Sequence, residues 1–435
     1  MKTKGLLSWG NYPKTNNTPW SFKTPKELSH ILEKNEKLIP YGNGRSYGDS
    51  ALSDNLICVK QYNYFLGFDE NNGILNCQAG VLFSEILDVF VPKGWFLLIT
   101  PGTKYITVGG AIACDVHGKN HHVAGSFSDS VIEFTLMLPD GSTKSCSHEE
   151  NSDLFKATCG GMGLTGIILD ARIKLIPIKS SMINQVSIKT KNLKETFDAF
   201  NQFKDYPYSV AWIDCLAKSK NLGRCILTVG EFADDGNLAY SGSSKISVPF
   251  SFPSFVLNNL TVKIFNTLYY GKAKTGISKQ KVSLDGFFYP LDAIDHWNRI
   301  YGNNGFTQYQ FVLPLEKSFE GLSKILSQIA NSGKGSFLAV LKLFGQGNSN
   351  WLSFPTEGYT LALDFKIESG LFELLNDLDK IVLEYGGRFY LTKDVRLSGK
   401  TFEAGYKDID KFRKLRDKFN MSEKFNSLQS ERIGI

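Results

Sequence analysis

The stretch Thr107-Val108-Gly109-Gly110-Ala111-Ile112-Ala113-Cys114-Asp115-Val116-His117-Gly118-Lys119-Asn120-His121-His122 decides the fold. Gly109, Gly110, Ala111 and Ala113 leave room for backbone to lie flat against a ring. Thr100-Pro101-Gly102-Thr103 leads into it, and two further glycine-rich segments flank it in the chain. The earlier one, Gly42-Asn43-Gly44-Arg45-Ser46-Tyr47-Gly48-Asp49, offers close backbone approach and free amide N–H groups, as a pyrophosphate requires. The later one, Thr158-Cys159-Gly160-Gly161-Met162-Gly163-Leu164-Thr165-Gly166-Ile167-Ile168, again presents backbone before entering a strand. Taken alone, the earlier segment reads as a tight glycine turn, for it is neither a G-x-G-x-x-G opening a helix nor a Walker loop. Together the three indicate one large, buried cofactor.

Outward from these loops the texture is α+β. Thr24-Pro25-Lys26-Glu27 has an N-cap, a first-turn proline and an acid, and predicts a helix to about Lys37. A short strand over 37–41 then empties into the first glycine loop, and a second strand covers 56–60. Asn71-Asn72-Gly73 marks a hairpin. Phe83, Ile86, Leu87 and Phe90 share a helical face, an apolar run over 131–138 ends at Pro139-Asp140-Gly141, and 153–158 starts another helix. From about Ser180 long strands dominate, over 208–216, 224–232, 307–313, 336–344 and 359–367. Two helices separate them, one turning Leu322, Ile325 and Ile329 inward and one running over 371–385. The expectation is a second part in which helices cover one face of an antiparallel sheet.

Composition narrows the class. The 435 residues are 42% hydrophobic and 13% aromatic, ample for a large core normally divided in two. No apolar run approaches the roughly 20 residues of a spanning helix, and Met1 to Trp9 lacks a signal-peptide core, so a cytoplasmic location is expected. Seven scattered cysteines without a C-x-x-C pair read as buried thiols. A net charge of +6 gives nucleic-acid binding little support, while suiting a phosphorylated substrate or an anionic surface. The apolar segment over 241–274 reads as a lid, as a lipid-facing surface, or as a helix and loop buried in the core.

The three glycine segments, in this order and spacing, resemble the FAD domain of the vanillyl-alcohol oxidase superfamily, which includes aldonolactone and alditol oxidases. Gly44 to Asp49, Val108 to His122 and Gly163 to Ile168 look more narrowly like the decaprenylphosphoryl-β-D-ribose oxidases. That resemblance continues through Trp297-Asn298-Arg299, Gln308-Tyr309-Gln310-Phe311, Lys342-Leu343-Phe344-Gly345 and Gly386-Gly387-Arg388-Phe389-Tyr390 with Lys393-Asp394, so it spans nearly the whole chain. It implies an FAD-binding part over 1–178, a substrate part over 179–387, and a C-terminal return to the FAD-binding part over 388–435.

The implied activity is oxidation of a secondary hydroxyl of a polyprenyl-phosphate-linked pentose or related sugar to a ketone. This would be the first half of an epimerisation that a nicotinamide-dependent reductase completes; the alternative is a soluble aldonolactone or alditol oxidase. Arg45 stands where covalent members carry the linking histidine of Gly-x-Gly-His-Ser, so noncovalent FAD is expected. The resemblance places Tyr41, Gly42, Asn43, Gly44, Arg45, Ser46, Tyr47, Gly48, Asp49, Gly102, Thr107, Gly109, Gly110, Cys114, His117, Ile168 and Tyr390 at the cofactor. It assigns catalysis to Lys393, His117 and Tyr47, and substrate contact to Lys119, Gln310, Lys342 and Lys393. Burial lowers a lysine's pKa and can make Lys393 a usable base.

Asp115, His117, His121 and His122 also admit a zinc hydrolase, but the glycines around them disfavour the helix that would align His117 with His121, and no metal site is expected. Ala362 replaces a cysteine that members of the resembled family carry near the pocket, which alters its volume.

Overall fold

The computed structural model describes residues 5–242, 246–253 and 255–435. Residues 1–4 of the N-terminal reading, and 243–245 and 254 within the 241–274 segment, lie outside the described residues.

Three larger sheets organise the described residues, beside a two-stranded pair of Ile246–Ser247 with Ile294–Asp295. In the first, Asn55–Cys58 lies between Thr18–Ser21 and Ile39–Tyr41, all parallel. The helix before it, Pro25–Lys34, is capped as its sequence demands, Glu27 N–H donating to Thr24 Oγ1 at 3.2 Å. It stops short of Lys37 because the Asn35 side chain turns back to the Ile31 carbonyl at 2.9 Å. The second sheet is antiparallel, in the order Phe65–Asp69, Ile74–Gln78, Ile167–Pro177, Val131–Met137, Thr143–Ser147, with Trp95–Leu97 also on Ile167–Pro177. Asn71-Asn72-Gly73 makes the expected hairpin, Asp69 accepting from the Asn71 and Asn72 amides and Gly73 taking φ +66°.

The third sheet has eight antiparallel strands: Ile277–Ser283, Met182–Thr190, Cys225–Phe232, Tyr208–Ile213, Ala339–Phe344, Gly358–Lys366, Phe306–Pro314 and Arg388–Phe389. The strand expected over 208–216 ends at Ile213, since Asp214 turns aside to pair with Arg224 at 2.6 Å. The one expected from 336 begins at Ala339, because Ser336 is held by Cys215 and Leu338. One face of the sheet packs under Leu193–Gln202, Leu315–Ser332 and Leu371–Glu384, which bury Leu322, Ile325, Ile329, Leu375, Leu378 and Val382. The alternate residues of the same strands face a cavity. Period-two alternation therefore divides each strand between core and site.

The C-terminal segment packs back on the N-terminal sheet: Leu38 bridges Phe425, Leu428 N–H donates to the Leu52 carbonyl, and Arg432 pairs with Asp49 at 2.8 Å. Among the described residues no helix is long and apolar enough to cross a membrane.

One expectation holds and one needs correction. His117 and His121 do not share a helix: His117 bridges Ser126 and a separate short helix starts at His121, while upstream Val108–Ala113 is helical, the Thr107 hydroxyl capping it by accepting from Gly110 N–H at 3.1 Å. The described part of 241–274 is not buried in the core: Asn259–Lys272 is a helix, and Leu260, Ile264 and Leu268 are exposed on it.

Candidate active site

A cavity of about 790 Å³ runs between the glycine loops and the open face of the eight-stranded sheet. Its size is within the range of small-molecule and cofactor sites. The loop wall is mostly backbone. Gly42, Asn43, Gly44, Arg45, Ser46 and Tyr47 line it, with Gly102, Thr107, Gly109, Gly110, Cys114, His117, Ile168 and Tyr390.

The amides of Asn43, Gly44, Arg45 and Ser46 donate to no protein acceptor among the described residues. Four consecutive free N–H groups on a cavity wall make the concavity that anionic phosphates occupy. Gly44 adopts φ +62°, and a Cβ there would run into the Tyr41 hydroxyl. At Gly102 a Cβ would project into open space, and at Gly42 it would press on Thr107 Oγ1. The amides of Gly109 and Gly110, by contrast, are spent on the Ala79 carbonyl and the Thr107 hydroxyl, so that segment offers surface rather than donors. These features fit FAD: one segment can hold its pyrophosphate, the other can wall its ring.

Three of the residues expected at the cofactor, Tyr41, Gly48 and Asp49, stand behind this wall. Tyr41 turns its hydroxyl to the Leu7 carbonyl at 2.7 Å, Gly48 packs against the Asp394 carbonyl, and Asp49 pairs with Arg432. A loop that bends sharply cannot present every residue to one side, and these hold it from outside. Arg45 lies 4.1 Å over the Trp9 ring and 5.4 Å from that of Tyr105, and burial pushes its guanidinium below its usual range. Tyr390 donates to the Cys114 carbonyl at 3.0 Å and stacks on Phe354.

At the far end of the cavity the polar side chains gather. Lys393, on the turn Leu391–Lys393, sets its ammonium 3.6 Å from the centroid of the buried Tyr47 ring. Burial pushes Lys393 down and the neighbouring Asp364 carboxyl up. His117 is buried against Phe344, Phe354 and Tyr390, and Gln310 Nε2 meets its Nε2 at 3.1 Å. With the amide donating, His117 carries its proton on Nδ1, which has no protein partner. Burial first, then Lys342, His121 and Lys393, hold this imidazole well below its usual pKa and therefore neutral.

Lys342 and Ala362 lie on adjacent strands, Ala362 between Gln310 and Val340 in register. Burial lowers Lys342 to about 8; burial and Lys342 lower Lys119 to about 7, and Lys119 donates to the Phe287 carbonyl. The structure thus brings Tyr47, His117, Lys119, Gln310, Lys342 and Lys393 to one pocket.

Three features of this end were missed in the sequence. Gln308 donates to Asp364 at 2.5 Å, and Tyr301 reaches the same carboxylate at 3.4 Å. The available signal was alternation: Asp364 is two residues beyond Ala362, the one acid in a largely apolar strand, Gly358–Lys366. The third is Asp115, whose buried carboxylate accepts from Ser128 N–H, Ser126 Oγ, Ser353 Oγ, Asn348 Nδ2 and Asn350 Nδ2 at 2.6–3.3 Å. It is a hydrogen-bond hub that pins the His117 loop to 348–353. His121 lies against the Phe344 ring and His122 Nε2 meets the Tyr206 carbonyl at 2.9 Å.

An FAD binding domain model matches residues 23–147. A decaprenylphosphoryl-beta-D-ribose oxidase of Mycolicibacterium smegmatis is 36% identical over 100% of this chain and 98% of its own length. An L-gulonolactone oxidase of Scyliorhinus torazame is 29% identical over 35% of this chain and 36% of that one. A D-arabinono-1,4-lactone oxidase homologue of Neurospora crassa is 28% identical over 36% and 28%. Full-length similarity to the first, joined to a cavity walled by free amides and closed by buried bases, places this chain in the decaprenylphosphoryl-β-D-ribose oxidase family of FAD-dependent oxidoreductases.

Proposed function

We propose that this chain oxidises a ring hydroxyl of a polyprenyl-phosphate-linked pentose, or a closely related sugar, to a ketone, with FAD held by contacts alone. The observation that carries this reading is the gathering of Lys393, His117, Gln310 and Lys342 at the end of a cavity whose opposite wall is glycine backbone. Residues 1–178 and 388–435 form the cofactor-holding part and 179–387 the substrate part; the packing of Leu38, Leu52 and Asp49 against the C-terminal segment supports that division.

FAD, when bound, supplies the acceptor for the two electrons and the carbinol hydrogen. The protein supplies position and a base. Lys393, deprotonated more readily because it is buried, takes the hydroxyl proton as the carbonyl forms. Neutral His117, held by Gln310, orients that hydroxyl, and the Tyr47 ring fixes the Lys393 side chain. Lys342 and Lys119 sit where they can meet a phosphate. Arg45 cannot form the histidyl link of covalent flavoproteins. The keto product passes to a nicotinamide-dependent reductase, and a lipid-linked substrate calls for peripheral contact with a bilayer.

An anaerobic absorbance titration with polyprenyl-phosphoryl ribose tests the reading. The flavin band should bleach, and acid precipitation should leave the flavin in the supernatant. Colourless protein would overturn the cofactor, a yellow pellet the noncovalent attachment. Bleaching only by free aldonolactones or alditols would transfer the activity to the water-soluble class.

A further inference from the structure

We infer that the helix Asn259–Lys272 is a docking surface for an anionic bilayer, set so that the cavity opens beside the lipid. This deepens the proposed function and rests on that reading for its purpose; its evidence is separate. Between Asp235 and Asp285 the chain contains no Asp or Glu, yet it carries Lys245, Lys263, Lys272, Lys274, Lys279 and Lys281. Over the whole chain, by contrast, 43 acids accompany 49 lysines and arginines.

The helix within this stretch has two apolar sectors. Val262 and Asn266 are buried; Asn266 Nδ2 anchors it to Asp214 at 2.8 Å, and Tyr270 donates to the Thr190 carbonyl at 3.0 Å. Phe265 and Tyr269, stacked on each other and touching Phe337 and Trp212, line the cavity. The next sector, Leu260, Ile264 and Leu268, repeats every four residues and is 65%, 50% and 68% exposed. Phe255, 75% exposed, precedes it. The same helix therefore carries apolar side chains both on the cavity wall and on the outside. Lys263 lies to one side of this stripe and Lys272 to the other, both exposed.

An exposed apolar stripe rimmed by cations and free of acids is the pattern of an interfacial helix. Its charge is complementary to anionic headgroups, which attract each nearby lysine. The anchored inner side makes it a fixed platform, so docking would place the cavity at the headgroup level.

Flotation of the FAD-loaded full chain with vesicles tests this. Phosphatidylcholine vesicles containing phosphatidylglycerol should carry the wild type upward, pure phosphatidylcholine vesicles should not, and salt should weaken the association. The triple variant Leu260→Ser/Ile264→Ser/Leu268→Ser and the double variant Lys263→Glu/Lys274→Glu should each lose on the order of tenfold or more in partitioning. Their flavin absorbance, unchanged, shows that they remain folded. The inference fails if the wild type ignores phosphatidylglycerol, or if the triple variant floats equally well. It fails equally if, without lipid, the wild type forms a dimer that the triple variant abolishes, since a second copy would then cover the stripe. Flotation without flavin reduction by polyprenyl-phosphoryl ribose would count against the proposed function alone. Reduction without flotation would count against the bilayer contact alone.

Discussion

The two ends of the cavity are built on opposite rules. At the inner end, polar groups are buried and their protonation is set by each other: His117 neutral beside Gln310, Lys393 against Tyr47, Lys342 and Lys119 lowered by burial. At the outer end, apolar groups face solvent, with half or more of Leu260, Ile264 and Leu268 exposed. Each arrangement costs stability in isolation, one by desolvating charge and the other by wetting hydrocarbon. Sites that depart from the ordinary rules of burial are where function is concentrated. The inner end is thus suited to chemistry and the outer end to presentation of the substrate.

The sharpest way to break this contrast is at Lys393. Lys393→Ala should lower the rate of anaerobic flavin reduction, measured by stopped flow, by roughly 10²–10⁴-fold, the range for loss of a general base. Leu268→Ala should leave the same rate unchanged with a water-soluble substrate. A comparable loss in both would dissolve the distinction between the ends.

Much of the inner end is legible in the amino-acid sequence, and what escapes it does so for a physical reason. The Gly42 to Gly48 loop reads correctly as a donor of free amides because glycine spacing constrains the backbone locally. Tyr41, Gly48 and Asp49, at or beside the ends of that loop, turn away from the cavity, since which side of a tight loop meets it depends on tertiary contacts such as Arg432 and Leu7. The helix Val108–Ala113 is obscured by glycine propensity, which a single Thr107 cap overrides. Asp364 and Asp115 make their partnerships across large sequence separations, Asp115 with residues beyond 340. Pattern along the chain cannot reveal such closures.

Asp115 is the foundation of the inner end, and its removal gives the next largest effect. Asp115→Ala leaves several buried donors without an acceptor, and should cost about 3 kcal/mol or more, read as a lower urea midpoint at unchanged m. The His117 loop loses its tie to 348–353, so flavin reduction should slow as well. Asp115→Asn keeps part of the acceptor capacity and should recover some of both. A stability change under about 0.5 kcal/mol would mean that the hub does not hold the loop.

The pH dependence sharpens the contrast further. The reduction rate should rise with pH as Lys393 deprotonates, along a limb lying below the ordinary lysine value. Asp364 raises Lys393 and Lys342 lowers it, so Asp364→Asn should move that limb to lower pH and Lys342→Met to higher pH. Movement in the same direction would overturn the assignment. For stability, Lys342 titrates at about 8 in the fold against 10.5 in the unfolded chain. Between those values the unfolded state holds the proton and the folded state does not, so stability rises with pH across the window and is lost as pH falls through about 8. Lys342→Met should therefore melt higher than wild type at pH 6, and the difference should shrink as pH approaches 10.

The smallest effect belongs to the outer end, where absence of change is the informative result. Leu268→Ala removes a side chain that is 68% exposed, and should alter stability by no more than about 0.5 kcal/mol. Val262→Ala, two turns away on the anchored side and 3% exposed, should cost about 2 kcal/mol for two buried methyl groups. Urea midpoints of both variants, measured side by side without lipid, decide the matter. If Leu268→Ala costs as much as Val262→Ala, the outer stripe is already packed in solution, by the chain itself or by a second copy, and the two ends of the cavity no longer differ in kind. If the costs separate as expected, the hydrocarbon of Leu268 is held in reserve, and a bilayer that covers it gains what folding leaves unused.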